Sequence, residues 1–504
     1  MHSKTTFHWI LIGFFILGLV GSLPAQNHVY VKAAPSGPQV TTTSVAWTDI
    51  PDLVLSFEQA LSGYVSIAFS AEAYTGGSER MFARALINGV PASPSDVLLV
   101  TGTFRGVCTF CFVSSLDPGV FELKMQWKVD TGGTAYLGDR AMVVTSAPFY
   151  VVATAAPSGP DVSTASSILS DIPDLLFDVS FTAPGYGILA VTGEAETSNN
   201  ARMFVAGSVN SQEMKPSNVV FAIGAYTCTH AFTFVQEQAP SGAQSFLALW
   251  FVDTGGTAFM GDRTVTLAYS PSGALSGGLG GFRSISAPSG DFITTTSTDF
   301  IDIPDLNTVI DVPENASLAV SLTAEAFTSA GKRMFVRALV GDQPLWPSDV
   351  VFATETWYGT TRFDFVIENW PAGPFPVRVQ WKVDAGGTGF MGDRNMTITG
   401  FSAPTTGVDG GRNRFLPETM ALEQNYPNPF NGTTVIGYHV PEPGKASLKV
   451  FDSRGREVQT LVNEEKPAGR HQAVFHGERL PTGIYVCRLI AGSQTVSRKM
   501  LLIR

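Results

Sequence analysis

Trp127-Lys-Val-Asp-Thr-Gly-Gly-Thr134, running on to Gly138-Asp-Arg140, returns as Trp250 to Arg263 and again as Trp381 to Arg394. Each copy reads as the closing β-hairpin of one domain: an alternating strand enters Asp-x-Gly-Gly, where glycines supply the positive φ of a tight turn. Upstream of each hairpin the same motifs recur in the same order. Ala-Pro-Ser-Gly starts at Ala34, Ala156 and Ala287, and Asp-Ile-Pro-Asp-Leu at Asp49, Asp171 and Asp302. A strand holding Glu72, Glu194 or Glu325 follows, then Arg-Met-Phe from Arg80, Arg202 and Arg333, and a Pro-Ser pair from Pro94, Pro216 and Pro347. A unit of roughly 115 residues is a domain and not a solenoid repeat.

Period two dominates the copies. Leu318, Val320, Leu322, Ala324 and Ala326 alternate with small polar residues and Glu325, and Val377, Val379, Trp381 and Val383 alternate with Arg378, Gln380, Lys382 and Asp384. One apolar and one wet face per strand predicts antiparallel sheets packed as a sandwich, all-β, jelly-roll or immunoglobulin-like. Gly 50 and Pro 31 with only 15% charged residues fit strands and turns, and 504 residues exceed one core. The expected division is a signal peptide at 1–25, sandwiches at 34–148, 156–270 and 287–404, a Gly/Ser linker at 271–286, a second linker at 405–420, and a tail domain at 421–504. The joint near Phe149 to Ala155 is short, so the first two sandwiches should be closely coupled.

Residues 1–25 carry Lys4, an apolar run from Trp9 to Val20, and Ala25 before Gln26. The run is short for a membrane span of about 20 residues, so it reads as a secretory leader. The chain's net charge is -11, yet the tail holds 11 Lys and Arg against 7 Asp and Glu, leaving 21 against 36 upstream. That acidic body argues against nucleic acid as partner. Cys108 and Cys111 lie three apart in one strand and so point to opposite faces, and Cys228 and Cys487 fall in other domains. Buried free thiols are the expectation, ahead of a Cys-x-x-Cys redox or metal site.

The tail reads Leu422-Glu-Gln-Asn-Tyr-Pro-Asn-Pro-Phe-Asn431, Leu448-Lys-Val-Phe-Asp452, Gly455-Arg-Glu-Val458, Pro467-Ala-Gly469, Gly483-Ile-Tyr485 and Lys499-Met-Leu501, a small all-β domain with Gly or Pro at its turns. It strongly resembles the C-terminal (Por-type) sorting domain of proteins exported by the bacterial type IX secretion system. That resemblance implies an immunoglobulin-like fold, passage through the periplasm, recognition by the outer-membrane translocon, and release or attachment to surface polysaccharide. By match, the recognition elements are Asn428, Pro429, Phe430, Gly455, Arg456, Glu457, Gly483, Tyr485 and Lys499. Cys487 departs from the family, which commonly has an aromatic residue there.

Candidate chemistry is thin. Of the 7 histidines only His230 lies inside a repeat, and its counterparts are Cys108 and Thr361, so no His-based triad or metal site recurs. The recurring acids Glu72, Asp130 and Asp139 could form a paired-carboxylate hydrolase site. The plainer expectations are a Glu72–Arg80 cross-strand ion pair, turn hydrogen bonding by Asp130, and local pairing of Asp139 with Arg140. Calcium at the Asp-Gly loops is conceivable, but no EF-hand spacing is present. Asn315-Ala-Ser, Asn395-Met-Thr and Asn431-Gly-Thr match the glycosylation pattern by chance. No catalytic residue, cofactor or metal is expected.

One difference between copies is sharper. Lys124, Gln126 and Lys128 on the outward face of the Trp strand correspond to Arg378, Gln380 and Lys382 in the third copy, but to Leu247, Leu249 and Phe251 in the second. That stripe is expected to be covered by a neighbouring repeat or a partner. Three copies of one module fit a secreted or surface non-catalytic protein for adhesion or capture of a glycan or protein ligand. A purely structural stalk is the alternative, and a secreted hydrolase the third reading.

Overall fold

The computed structural model describes residues 29–503 except 35–38, 60, 104, 147–149, 156–160, 182, 226–227, 271–280, 288–291, 313–315, 355–358, 403–419, 423–424, 426–429, 441–443, 467–468, 479 and 493. The expected secretory leader at 1–25, most of both expected linkers, and Asn428 and Pro429 of the expected sorting elements lie outside the described residues.

Repeat 1 consists of β1 (Val29–Ala33), β2 (Val40–Thr42), β3 (Thr48–Gln59), β4 (Gly63–Thr75), β5 (Arg80–Ile87), β6 (Val90–Pro91), β7 (Val97–Thr101), β8 (Gly106–Leu116), β9 (Gly119–Val129) and β10 (Ala135–Thr145). Repeat 2 follows as β11 (Tyr150–Ala155), β12 (Val162–Thr164), β13 (Ser170–Phe181), β14 (Gly185–Thr197), β15 (Arg202–Val209), β16 (Gln212–Glu213), β17 (Val219–Ile223), β18 (Thr229–Ala239), β19 (Gly242–Val252) and β20 (Ala258–Ser270). Repeat 3 comprises β21 (Gly281–Ser286), β22 (Ile293–Thr295), β23 (Ile301–Val312), β24 (Ala316–Thr328), β25 (Arg333–Val340), β26 (Gln343–Pro344), β27 (Val350–Thr354), β28 (Gly359–Trp370), β29 (Gly373–Val383) and β30 (Gly389–Ser402). The short joint before repeat 2 and the end of the expected Gly/Ser linker are therefore strands, β11 and β21. Gly281 to Ser286 pairs along β30, and a Gly-rich composition does not prevent an edge strand whose ladder bonds are backbone groups.

In repeat 1 one sheet runs β1-β10-β4-β8 with β2 also on β10, and the other runs β3-β9-β5-β6 with β7 on β5. The other two repeats repeat this order strand for strand. The chain crosses from sheet to sheet at most connections, which makes each repeat a jelly roll rather than an immunoglobulin-like sandwich. The recurring Trp127, Trp250 and Trp381 sit inside these sandwiches and are buried, as the alternation requires.

The three repeats close into a ring. Their β8, β18 and β28 strands meet one another, so the sheets bearing them form an inner layer and the Trp-strand sheets an outer one. A sheet face that would be wet in an isolated sandwich is covered here: in β8, Gly106 through Val113 are buried on both faces. The closure repeats one contact three times. Val351 N–H of repeat 3 donates to Glu72 of repeat 1 (2.5 Å), Leu98 N–H of repeat 1 donates to Glu194 of repeat 2, and Val220 N–H of repeat 2 donates to Glu325 of repeat 3. The axis is polar. Arg362 and Asp364 pair there at 2.8 Å, Ser70 from repeat 1 and Ser321 both donate to Asp364, and Thr264 donates to the Cys111 carbonyl at 2.8 Å. A cavity of about 60 Å³ lies among Cys111, Thr233, Thr266, Ser321, Arg362 and Thr397.

The tail contains β31 (Ala421–Leu422), β32 (Thr433–Val440), β33 (Gly444–Asp452), β34 (Glu457–Lys466), β35 (Gly469–His476), β36 (Gly483–Ala491) and β37 (Gln494–Leu502). Sheets β31-β32-β35 and β34-β33-β36-β37 face each other, an immunoglobulin-like arrangement with its own core of Phe430, Tyr438, Leu448, Phe475, Tyr485 and Leu489.

Candidate functional site

The recurring acids are consumed by the scaffold. Arg80 pairs with Asp130 at 2.7 Å, Arg202 with Asp253 at 2.8 Å and Arg333 with Asp384 at 2.9 Å, so Arg-Met-Phe is locked to the Asp of the Gly-Gly turn. The expected Glu72–Arg80 pair is not formed. Glu72 lies on the inner sheet, 2% exposed, and its second oxygen takes Arg105 at 2.7 Å. The two residues belong to different sheets, because a jelly roll sends consecutive strands to opposite layers.

In the Gly-Asp-Arg triplet the glycine and the arginine each have a structural reason. A Cβ on Gly138 or Gly261 would sit 2.5 or 2.6 Å from the Glu72 or Glu194 carboxylate, so only glycine leaves room for the acid. Lost water and the adjacent Glu72 raise the Asp139 carboxyl well above the usual range. Arg140 does not pair with Asp139. It is buried and donates to the Gly138 carbonyl (2.9 Å) and to Asp52 (3.3 Å), the second aspartate of Asp-Ile-Pro-Asp, and Arg263–Asp174 and Arg394–Asp305 repeat the bond. Asp52, Asp174 and Asp305 all adopt φ 67, a conformation Asp tolerates better than most residues. Among the described residues no cluster of three or more His, Cys, Asp or Glu is disposed to hold a metal.

The outer sheets carry the feature that varies. In repeat 1 the Arg84 guanidinium and the Lys128 ammonium lie 4.4 and 4.5 Å from the centre of the Trp47 ring. Gln126 accepts from Arg84 at 2.7 Å and donates to Asp49 at 2.7 Å. Repeat 3 builds the same cluster from Phe300, Arg337 (4.1 Å), Lys382 (4.2 Å), Gln380 and Asp302. In repeat 2 the corresponding positions hold Leu169, Ala206, Leu249 and Phe251, so aromatic, guanidinium, amide and ammonium are replaced together. Leu247, Leu249 and Phe251 are half-buried on that outer sheet, Phe251 stacks on Phe204 at 4.5 Å, and Leu176 beside them is 48% exposed. β19 packs on strands of its own repeat, so the stripe faces away from the ring axis. Reading the Trp strand alone missed Trp47, Arg84, Phe300 and Arg337. Aligning positions 47, 169 and 300, and 84, 206 and 337, would have revealed the switch.

In the tail, Phe430 is buried, its ring edge-on to Phe475 at 5.8 Å, and it forms a parallel bridge to Leu502. Gly455 takes φ 79 in a turn closed by Asp452, which accepts from the Arg454 and Arg456 amides (2.9 and 3.0 Å) and pairs with the Arg456 side chain at 2.8 Å. Glu457 pairs with Lys449 at 2.8 Å, Tyr485 donates to the Pro481 carbonyl at 2.7 Å, and Gly483 lies opposite Leu502 in the β36–β37 ladder, with Lys499 exposed on β37. Ile484 and its cross-strand neighbour Leu501 are 53% and 38% exposed, an apolar spot at the end of that sheet. Cys487 is buried, and burial pushes its thiol up to about 12.

Residues 424–503 match the family model described as a secretion system C-terminal sorting domain. No curated protein sequence matches the chain. Among solved structures, apo β-glucuronidase 3 of Bacteroides uniformis is 12% identical over 39% of this chain and 26% of its own, with a TM-score of 0.12. A Ruminococcus gnavus β-glucuronidase in complex with D-glucuronic acid is 11% identical over 39% and 36%, with a TM-score of 0.12. Dimeric latent PorU from Porphyromonas gingivalis is 8% identical over 96% and 87%, with a TM-score of 0.17. The chain thus spans well under half the length of either glucuronidase, and at these TM-scores none of the three carries an argument.

Proposed function

From a chain whose residues 424–503 form a type IX sorting domain, we propose a non-catalytic, surface-displayed or released binding protein that passes through the periplasm and captures a glycan or another extracellular ligand on the outer faces of its ring. Export by the type IX machinery follows from the tail itself. Binding is supported by one observation: the same Arg–aromatic–Lys cluster stands on the outer sheets of repeats 1 and 3 and is replaced as a set in repeat 2. A flat ring flanked by Gln, Asp and Arg donors and acceptors suits a sugar or an anionic polymer, and two such faces on one rigid body give avidity.

A hydrolase draws less support, since Asp130 and its equivalents are bound to arginines and the glutamates to neighbouring backbone. The stalk reading leaves the outer clusters without a role. The test is binding of the full secreted chain to arrayed glycans and extracellular matrix. Trp47→Ala with Phe300→Ala should weaken binding about tenfold or more, the scale of losing cation–π and stacking contacts. Wild-type chain that binds nothing, or a double variant that binds as tightly, would leave the stalk reading standing.

A further inference from the structure

We propose that Cys108 of repeat 1 and Cys228 of repeat 2 are a disulfide-forming pair that covalently locks the first joint of the ring. Cys228 lies just before β18 and its backbone bridges to Val100 of β7, across the interface between the two repeats. Its side chain packs against the core of repeat 1, the cluster to which Cys108 belongs. Cys228 and the Thr229 amide are the neighbours that act on the Cys108 thiol, and both cysteines are free thiols in this structure. Two cysteines that sequence reading assigned to separate domains are thus neighbours in space.

The other two joints show what this place in the ring is for. Cys108 corresponds to His230 in repeat 2 and to Thr361 in repeat 3. His230 Nδ1 meets the Thr360 carbonyl of repeat 3 at 3.0 Å, and Thr361 donates to the Val107 carbonyl of repeat 1 at 3.0 Å. At these two joints the side chain from this position reaches into the next repeat, and only the first joint has sulfur on both sides. Cys111, on the opposite face of β8, has Arg362 as its neighbour, and Cys487 is in the tail core, so neither competes for Cys228.

The chemistry balances as thiol–disulfide exchange with a donor disulfide, small or protein-borne, met outside the cytoplasm. The Cys228 thiolate, at the more accessible site, attacks one donor sulfur and releases the other as a thiol. Cys108 then attacks Cys228 Sγ in the mixed disulfide and releases the second donor thiol, the two cysteine protons ending on the donor. Two electrons pass from the cysteines to the donor. In the closed ring Cys108 is 1% exposed and burial raises its thiol far above the ordinary value. Exchange therefore belongs to the stage when repeat 2 docks on repeat 1.

The experiment takes full chain exported by its own host and alkylates it under denaturing, non-reducing conditions. The expected result is two alkylated cysteines, Cys111 and Cys487, and a peptide pair joining Cys108 to Cys228, about 2 Da lighter than the two free peptides. Reductant should lower the melting temperature of wild type but not of Cys228→Ser. If that variant fails to fold, the peptide map decides alone. Four alkylated cysteines, or a crosslink using Cys111 or Cys487, would overturn the assignment.

Discussion

Arg362 and Asp364 put two charges on the ring axis, 12% and 0% exposed at their side chains, with Ser70 and Ser321 completing the carboxylate's bonds. By strand register Cys111 and Thr233 take the place of Asp364 in repeats 1 and 2. Among the described residues the shared inner layer therefore holds a single ion pair of this kind, at a position that is neutral in the other two repeats. Breaking it is costly, because a lone buried charge has neither water nor partner. Asp364→Ala is expected to cost about 3–5 kcal/mol, whereas Arg362→Met with Asp364→Leu should cost less, its remaining penalty being the Ser70 and Ser321 hydroxyls that lose their acceptor. Chemical denaturation of the three proteins separates these outcomes; a single variant as stable as the double one would contradict the picture. At this scale the sequence was legible where a residue's partner lies nearby in the strand pattern. The Trp core positions are an example; the Arg80–Asp130 lock is not, because its partners lie 50 residues apart on different strands. Glu72 is only half legible, because one oxygen takes Arg105 of its own repeat and the other the Val351 amide of another.

Strands meeting at the joints carry the pH response. Glu194 on β14 faces Asp262 and Asp161, takes the amides of Leu98 and Asp262, and is pushed up to about 8, chiefly by burial and then by Asp262. The folded state thus holds this proton more tightly than the unfolded chain, whose glutamate titrates near 4.5. The stabilisation linked to this proton is complete below that value, falls as pH rises towards 8, and is gone above it. Glu194→Gln keeps an acceptor for Leu98 without the charge. Its melting temperature should be flatter than wild type's from pH 5 to 8, with the variant favoured at the alkaline end by on the order of 2 kcal/mol. Parallel melting curves across that range would refute the assignment. Elements themselves were largely readable from period two. What hid β11 and β21 was composition: neither Phe149 to Ala155 nor the Gly-rich stretch before Ala287 shows clean alternation, and both become strands only because β20 and β30 offer an open edge.

The whole molecule is where sequence reading fell furthest short, since three tandem modules on linkers and a closed ring have the same local patterns. The one local trace is a strand such as β8, apolar or small on both faces, which an isolated sandwich does not need. Closure changes the energetics. Each inner sheet buries its second face on two neighbours, and each glutamate takes an amide from the repeat on one side. Removing one repeat would therefore strip apolar cover from both of the others and exchange cross-repeat bonds such as those of the Val351 or Leu98 amide for bonds to water. The ring should melt as one cooperative unit, while the tail, with its separate core, melts on its own. Calorimetry of the full chain is expected to show two transitions, the larger carrying the enthalpy of all three repeats in a single two-state step. A chain ending after Ser270 should melt well below that step, or recover stability by pairing with a second copy. Three resolved repeat transitions, or a two-repeat chain as stable as the intact ring, would mean that the repeats are independent beads and that closure contributes little.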